Sequence, residues 1–192
     1  YYKYIKQNIS DSASIILDGG NFFQGHPISL IDSGRTVIEF MNKVGYTALV
    51  PGVDDFVFGA KNLNNLSEIS DFPFLAANIN CNNCDLVSEN IKPYIIKRIK
   101  GINIGILGIV NSELEDMVLS HHINGISIRD IKESLDYWVP IVNQLSDVLI
   151  ILTSSGVPWD REEKYNTYIE SVIDGSSDTD KKLNAIEMGL YS

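Results

Sequence analysis

Basic residues are in short supply in this chain. Fifteen Lys and Arg stand against 25 Asp and Glu over 192 residues, a formal charge of −10. That balance argues against nucleic acid as a partner, because counterion release needs clustered Lys and Arg, and the small group Lys97, Arg98 and Lys100 does not supply it. Long hydrophobic runs are missing too. The longest, Ile102–Val110 and Val148–Leu152, are too short for a membrane span and are interrupted by polar residues or glycine. No leader pattern is visible near Tyr1, which leaves the compartment open. Internal repeats and low-complexity linkers are also lacking. With 44% hydrophobic residues, the chain can bury a sizeable core and reads as a single domain over 1–192.

Cysteine is limited to Cys81 and Cys84, within Asn80-Cys-Asn-Asn-Cys-Asp85. Three readings stand, in this order: two free thiols in an asparagine-rich loop, a local disulfide in an oxidising compartment, and half of a zinc site whose other half is absent. The triplets Asn8-Ile-Ser10 and Asn65-Leu-Ser67 fit the glycosylation pattern, and chance explains them in so asparagine-rich a sequence.

Strand-like and helix-like segments alternate. Ser14–Asp18, Tyr46–Val50, Pro73–Asn78, Tyr94–Ile99, Ile102–Val110 and Asp147–Thr153 are short runs rich in Ile, Leu and Val, ended by Gly, Asn, Asp or Ser. Between Gly34 and Val44, the residues Val37, Phe40, Met41 and Val44 fall on one helical face. Asp130–Leu145 is a second helix, which Pro140 is expected to kink or shorten; Lys61–Ser70 and Arg161–Glu170 are weaker helical segments. Tyr94–Ile99 and Gly101–Ile106, joined through Lys100-Gly101, read as a β-hairpin. The sum is an α/β domain with some antiparallel strands.

The strand ends carry similar loops: Asp18-Gly-Gly-Asn21, Pro51-Gly-Val-Asp-Asp-Phe56, Thr153-Ser-Ser-Gly156 and, after Ser171-Val-Ile173, Asp174-Gly-Ser-Ser-Asp-Thr179. Glycine and small polar residues at four strand ends point to one shared rim, the edge where α/β proteins place chemistry.

These segments, in this order, resemble the N-terminal domain of the 5′-nucleotidase and UDP-sugar hydrolase family of calcineurin-like metallophosphoesterases. Ile16-Leu-Asp-Gly-Gly-Asn-Phe-Phe-Gln-Gly25 is similar to the family's L-D-A-G-D-x-x-Q-G loop, and Val37–Asn42 with Val44-Gly-Tyr46 to its V-I-x-x-M-N-x-x-G-Y helix. Gly52–Gly59 stands where the family has G-N-H-E-F-D-x-G, and Phe72–Ile79 matches its F-P-x-L-x-A-N-I strand. Lys92-Pro-Tyr94 and Ile104-Gly-Ile-Leu-Gly108 follow in register. Leu152–Gly156 takes the place of L-S-H-L-G, and Asp174–Thr179 that of G-G-H-S-H-T. The resemblance covers roughly residues 5–190 and implies the family's four-layer α/β/β/α sandwich with mixed sheets.

It also implies two divalent cations, bridged by carboxylate and water, that lower the pKa of an attacking water and neutralise charge on a phosphate ester. At the positions that would hold them, this chain departs from the pattern. The bridging Asp is Asn21, the Asn ligand is Val53, and the catalytic His is Asp54. The remaining His ligands are Ser154, Ser176 and Asp178, while His26, His121 and His122 occupy none of these positions. The family's earliest motif, Asp-x-His on a first strand, would precede Tyr1. Asp18, Asp54, Asp55, Asp174 and Asp178 are residual hard-oxygen candidates, suited to magnesium, manganese or calcium rather than zinc; the plainer reading is that they cap helices or face water. His121 and His122 read first as a solvated pair. Phe22, Phe23, Phe56 and Phe58 are expected to pack behind the strand ends.

The expectation is therefore a degenerate member without cofactor, serving as a binding or structural module for an unidentified protein partner. By resemblance it acts outside the cytoplasm, in an extracellular, periplasmic or cell-surface setting. The alternatives are a divergent metal-dependent phosphoesterase acting on nucleotides or other phosphate esters, and a small-ligand receptor using an emptied cleft.

Overall fold

A computed structural model describes residues 14–22 and 31–155. The chain divides at 155/156 into Tyr1–Ser155 and Gly156–Ser192, and the second unit lies outside the described residues. The same holds for the segments around 161–170 and 171–173, for Asn8, Phe23, His26, Asp174, Ser176 and Asp178.

Four short strands, β1 (Leu17–Asp18), β2 (Ala48–Leu49), β3 (Phe74–Leu75) and β5 (Ile91–Lys92), form a parallel sheet in the order β1-β2-β3-β5. A second sheet, β6 (Tyr94–Ile99), β7 (Ile102–Ile109) and β9 (Val148–Thr153), is mixed: β6 and β7 pair antiparallel, β7 and β9 parallel. The remaining strands, β4 (Ile79–Cys81) and β8 (Ile126–Ile128), make an antiparallel pair. The helices are α1 (Arg35–Val44), α2 (Gly59–Glu68), the single turn α3 (Leu114–Met117) and α4 (Ile131–Leu145).

The strand β7 shows how the layers stack. Ile106 belongs to a core shared with Leu49, Leu75 and the helical residues Ile38, Met41 and Leu63. Its neighbours Leu107 and Ile109 belong to a second core with Leu135 and Trp138 of α4. Period-two alternation thus sends one face of β7 toward the first sheet and the other toward α4. Glycine permits the closest approaches on both faces. A Cβ on Gly108 would lie 2.2 Å from Cβ of Leu75, and one on Gly105 would lie 2.4 Å from a methyl of Val142. The two central strands of the first sheet are buried on both faces, and Ala48, Leu49, Phe74 and Leu75 have no exposed surface. The result is a layered α/β/β/α arrangement with one parallel and one mixed sheet.

The hairpin between β6 and β7 forms as expected, because Lys100 (φ 48°) and Gly101 (φ 90°) adopt the positive φ pair that suits the strand twist. α1 ends where Gly45 (φ 88°) turns left-handed and its N–H reaches Met41 and Asn42, with Tyr46 N–H also returning to Met41. Two expectations are corrected. The buried face of α1 is Ile38, Met41 and Val44, with Val37 at its edge; Phe40 is 46% exposed, because the face is rotated toward Ile38. Pro140 does not shorten α4, which runs to Leu145: Pro140 is exposed, so the carbonyl it leaves without an intrahelical donor faces water. The strands β4, β5 and β8 were not evident in the sequence, being two or three residues long.

Candidate functional site

The ends of β1 and β2 lie side by side. After Asp18 the chain turns through Gly20 (φ 96°) and Asn21 (φ 60°), and after Val50 it enters the single 3₁₀ turn Val53–Phe56. The approach is close enough to demand glycine on both sides. A Cβ on Gly20 would lie 2.4 Å from the Gly52 nitrogen, and one on Gly52 would lie 2.1 Å from Oδ1 of Asn21. Asparagine tolerates the left-handed region better than most residues, which suits it to the turn.

Asp55 organises both loops. It has no exposed surface, and its carboxylate accepts N–H groups from Gly52 (2.7 Å), Asn21 (2.8 Å) and Phe22 (2.9 Å). Burial pushes its carboxyl up to about 7, against the pull of the three N–H donors, and the nearby Asp18 charge adds to the rise. Asp18 accepts the Gly20 N–H at 2.9 Å, and burial raises its carboxyl as well. Asn21 completes the arrangement: its Oδ1 accepts the Asp54 N–H at 3.0 Å. The loops are tied by side-chain oxygens to backbone N–H groups, in the manner of a nest that its own carboxylate fills.

On the second sheet the rim is neutral. Asn78 is fully buried and brackets Val110, donating from Nδ2 to its carbonyl and accepting its N–H at Oδ1, both at 2.8 Å. The Ser154 N–H donates to Ile109 O at 3.2 Å, and its hydroxyl accepts the Asn111 N–H at 3.0 Å. The rim is continuous with the first, since a Cβ on Gly19 would come within 3.3 Å of the Thr153 carbonyl oxygen.

The structure therefore brings Asp18, Asn21, Val53, Asp54 and Asp55 together at the ends of β1 and β2, with Ser154 at the end of β9. Ser176, Asp178 and Asp174 lie outside the described residues. The paired cations that the resemblance implies do not fit the donors described. The Asn21 oxygen already accepts an N–H and carries no charge, both Asp55 oxygens face N–H donors, and Val53 offers no ligand. Among the described residues, no three His, Cys, Asp or Glu side chains converge.

Away from the rim, Cys81 and Cys84 are joined in a disulfide, with Cα atoms 5.3 Å apart. His121 and His122 sit in a 3₁₀ turn, their rings 4.3 Å apart, beside Gly59 at the start of α2. Phe56 is fully buried and Phe22 meets Phe74 edge-on at 6.0 Å, as packing behind the strand ends requires. Phe58 differs: it is 39% exposed, because it caps the start of α2 rather than pointing under the sheet. Asn78 was not among the expected site residues. Of the two plain expectations for Asp55, capping a helix or facing water, the structure shows the first: it caps the Val53–Phe56 turn through the Gly52 N–H and is buried. In each case a polar residue follows a buried apolar run, which is the available signal for a rim tie.

No family model matches the chain. Among characterised proteins, the chain is 34% identical to a snake venom 5′-nucleotidase of Gloydius brevicauda over 124 residues, covering 63% of this chain and 21% of that protein. It is 30% identical to that of Crotalus adamanteus over 170 residues, covering 86% and 29%. Among solved structures, the 5′-nucleotidase precursor of Thermus thermophilus superposes with a TM-score of 0.71 at 19% identity, over 84% of this chain and 31% of that one. The chain thus spans less than a third of the length of these relatives. The motifs in register, the layered fold and the relatives agree: the chain belongs to the 5′-nucleotidase N-terminal domain family of the calcineurin-like metallophosphoesterases.

Proposed function

We propose that this domain is a binding or structural module on a phosphoesterase scaffold, without two-metal hydrolysis, and that it engages a protein partner in an extracellular, periplasmic or cell-surface setting. The observation that carries the reading is the hydrogen bond from the Asp54 N–H to the Asn21 amide oxygen. An uncharged group stands where a bridging carboxylate would be needed, and its oxygen is already engaged. Val53 and Ser154, in place of an amide and an imidazole ligand, point the same way. The two venom relatives favour the setting proposed.

A second reading is supported by the relatives themselves, which are named 5′-nucleotidases. On that reading Asp18 and Asp54, both half-buried at the rim, would serve as ligands for magnesium, manganese or calcium, and the domain would hydrolyse nucleotides or other phosphate esters. A phosphatase assay with nucleoside monophosphates and p-nitrophenyl phosphate, with each cation in turn, separates the two. The module reading expects no turnover above the blank. Turnover abolished by Asp54→Ala would overturn it, whereas saturable nucleotide binding without turnover would make the emptied cleft a receptor.

A further inference from the structure

The disagreement between the implied cations and the donors at the rim has a structural counterpart. We infer that the ends of β1 and β2 are closed by a metal-free clasp, in which the Asn21 amide and the Asp55 carboxylate hold the 52–54 backbone where paired cations would otherwise tie the loops. Four hydrogen bonds to backbone N–H groups make up the clasp: Asp55 takes Gly52, Asn21 and Phe22, and Asn21 takes Asp54. The Asn21 oxygen already accepts the Asp54 N–H and lies close over Gly52, so a cation there would compete with that bond for an uncharged ligand. A magnesium ion would need that oxygen at about 2.0–2.1 Å and a calcium ion at about 2.3–2.6 Å. On the Gly52 side there is no room for either, since even a Cβ there would lie 2.1 Å from the oxygen.

The left-handed backbone at Asn21 belongs to the same device. With φ at 60°, residue 21 presents both its own N–H to Asp55 and its side-chain oxygen to Asp54, so one residue closes the clasp in both directions. A carboxylate at this position would add charge beside Asp18, Asp54 and Asp55, which a cation or a bound proton would have to relieve. The neutral amide removes that requirement. The inference shares with the proposed function the premise that Asn21 is not a cation bridge. It concerns how the loops are held, and its readouts are independent of turnover.

The test is thermal unfolding of the full chain in chelator and in millimolar manganese, magnesium, calcium or zinc, together with hydrogen exchange of the Asp54 amide. Wild-type protein is expected to keep the same midpoint in every condition, with the Asp54 amide protected in chelator. Asn21→Gly keeps the left-handed turn while deleting the amide. It is expected to expose the Asp54 amide to exchange at least tenfold faster and to lower the midpoint by a few degrees, with no recovery when cations are added. If that variant does not fold, Asn21→Ser serves as the milder deletion. A cation bound well above its dissociation constant would raise the midpoint by about 5 °C or more. Such a rise in the wild type, lost in Asn21→Gly, would overturn the clasp. So would an Asp54 amide that exchanges equally fast with and without the Asn21 side chain. If turnover is found while the wild-type midpoint ignores cations, the proposed function fails and the clasp stands.

Discussion

The rim at the ends of β1 and β2 is held by a titratable carboxyl group, whereas the rim at β7 and β9 is held by groups that do not titrate. Asp55 gathers three backbone N–H groups around one buried carboxylate. Asn78 does comparable work for Val110 through an uncharged amide, and Ser154 contributes a single hydroxyl. The two solutions respond differently to pH. A carboxylate in a buried site has to lose its hydration, and the proton competes with the N–H donors for its oxygens; an amide titrates nowhere in the useful range. One side of the same edge is therefore sensitive to acid and base, and the other is indifferent.

Replacing the keystone of the titratable side should have the largest effect. Asp55→Ala strips three N–H groups of their acceptor, one of them on the fully buried stretch Val50–Gly52, and is expected to cost about 3 kcal/mol or more in urea unfolding at neutral pH. A loss near zero would mean that water replaces the carboxylate, and the comparison would collapse. On the neutral side, Asn78→Ala leaves both backbone groups of Val110 buried without their partner and should cost about 2–3 kcal/mol. The same variant should unfold with the pH dependence of the wild type.

That pH dependence has a definite sign. Asp55 moves from an ordinary value of 3.8 to about 7 on folding, so the folded chain holds the proton more tightly than the unfolded one. Its contribution is greatest below pH 3.8 and is lost as pH rises through about 7, on the order of 1 kcal/mol per pH unit within that window. Urea midpoints measured across the window should fall with pH in the wild type and fall less in Asp55→Asn, where the shift of Asp18, of the same sign, remains. An equal slope in both proteins would place the titrating group elsewhere. The smallest effect belongs to Ser154→Ala, about 1 kcal/mol with no change in pH slope, since it removes one acceptor at a half-buried position.

How far the rim was legible from sequence depended on the kind of information each residue carries. Asn21, Val53, Asp54 and Ser154 were found because they sit in loops whose glycines and neighbours keep a family order. Asp55 stood in the same loop and was expected to cap a helix or face water; it does cap the 3₁₀ turn, but its burial and its reach to Asn21 and Phe22 depend on the neighbouring loop. Phe40 and Phe58 were misplaced for a related reason: periodicity marks an apolar stripe, and packing decides which edge of the stripe is covered. The pairing of Cys81 with Cys84 was one of three readings that spacing alone allowed, and the structure joins them.

The sequence by itself determined the alternation of strands and helices, the Lys100-Gly101 hairpin, the family and the uncharged character of position 21. These depend on local backbone preference, on hydrophobic period and on residue identity, all of which are written along the chain. Tertiary structure alone decided that Asp55 faces inward with three N–H groups around it, that Asn21 reaches across to Asp54, and that Asn78 brackets Val110. Apart from the local bond from Gly52 to Asp55, each of those bonds joins residues about thirty positions apart, and its direction is fixed only when two strand ends are packed within a glycine's width of one another.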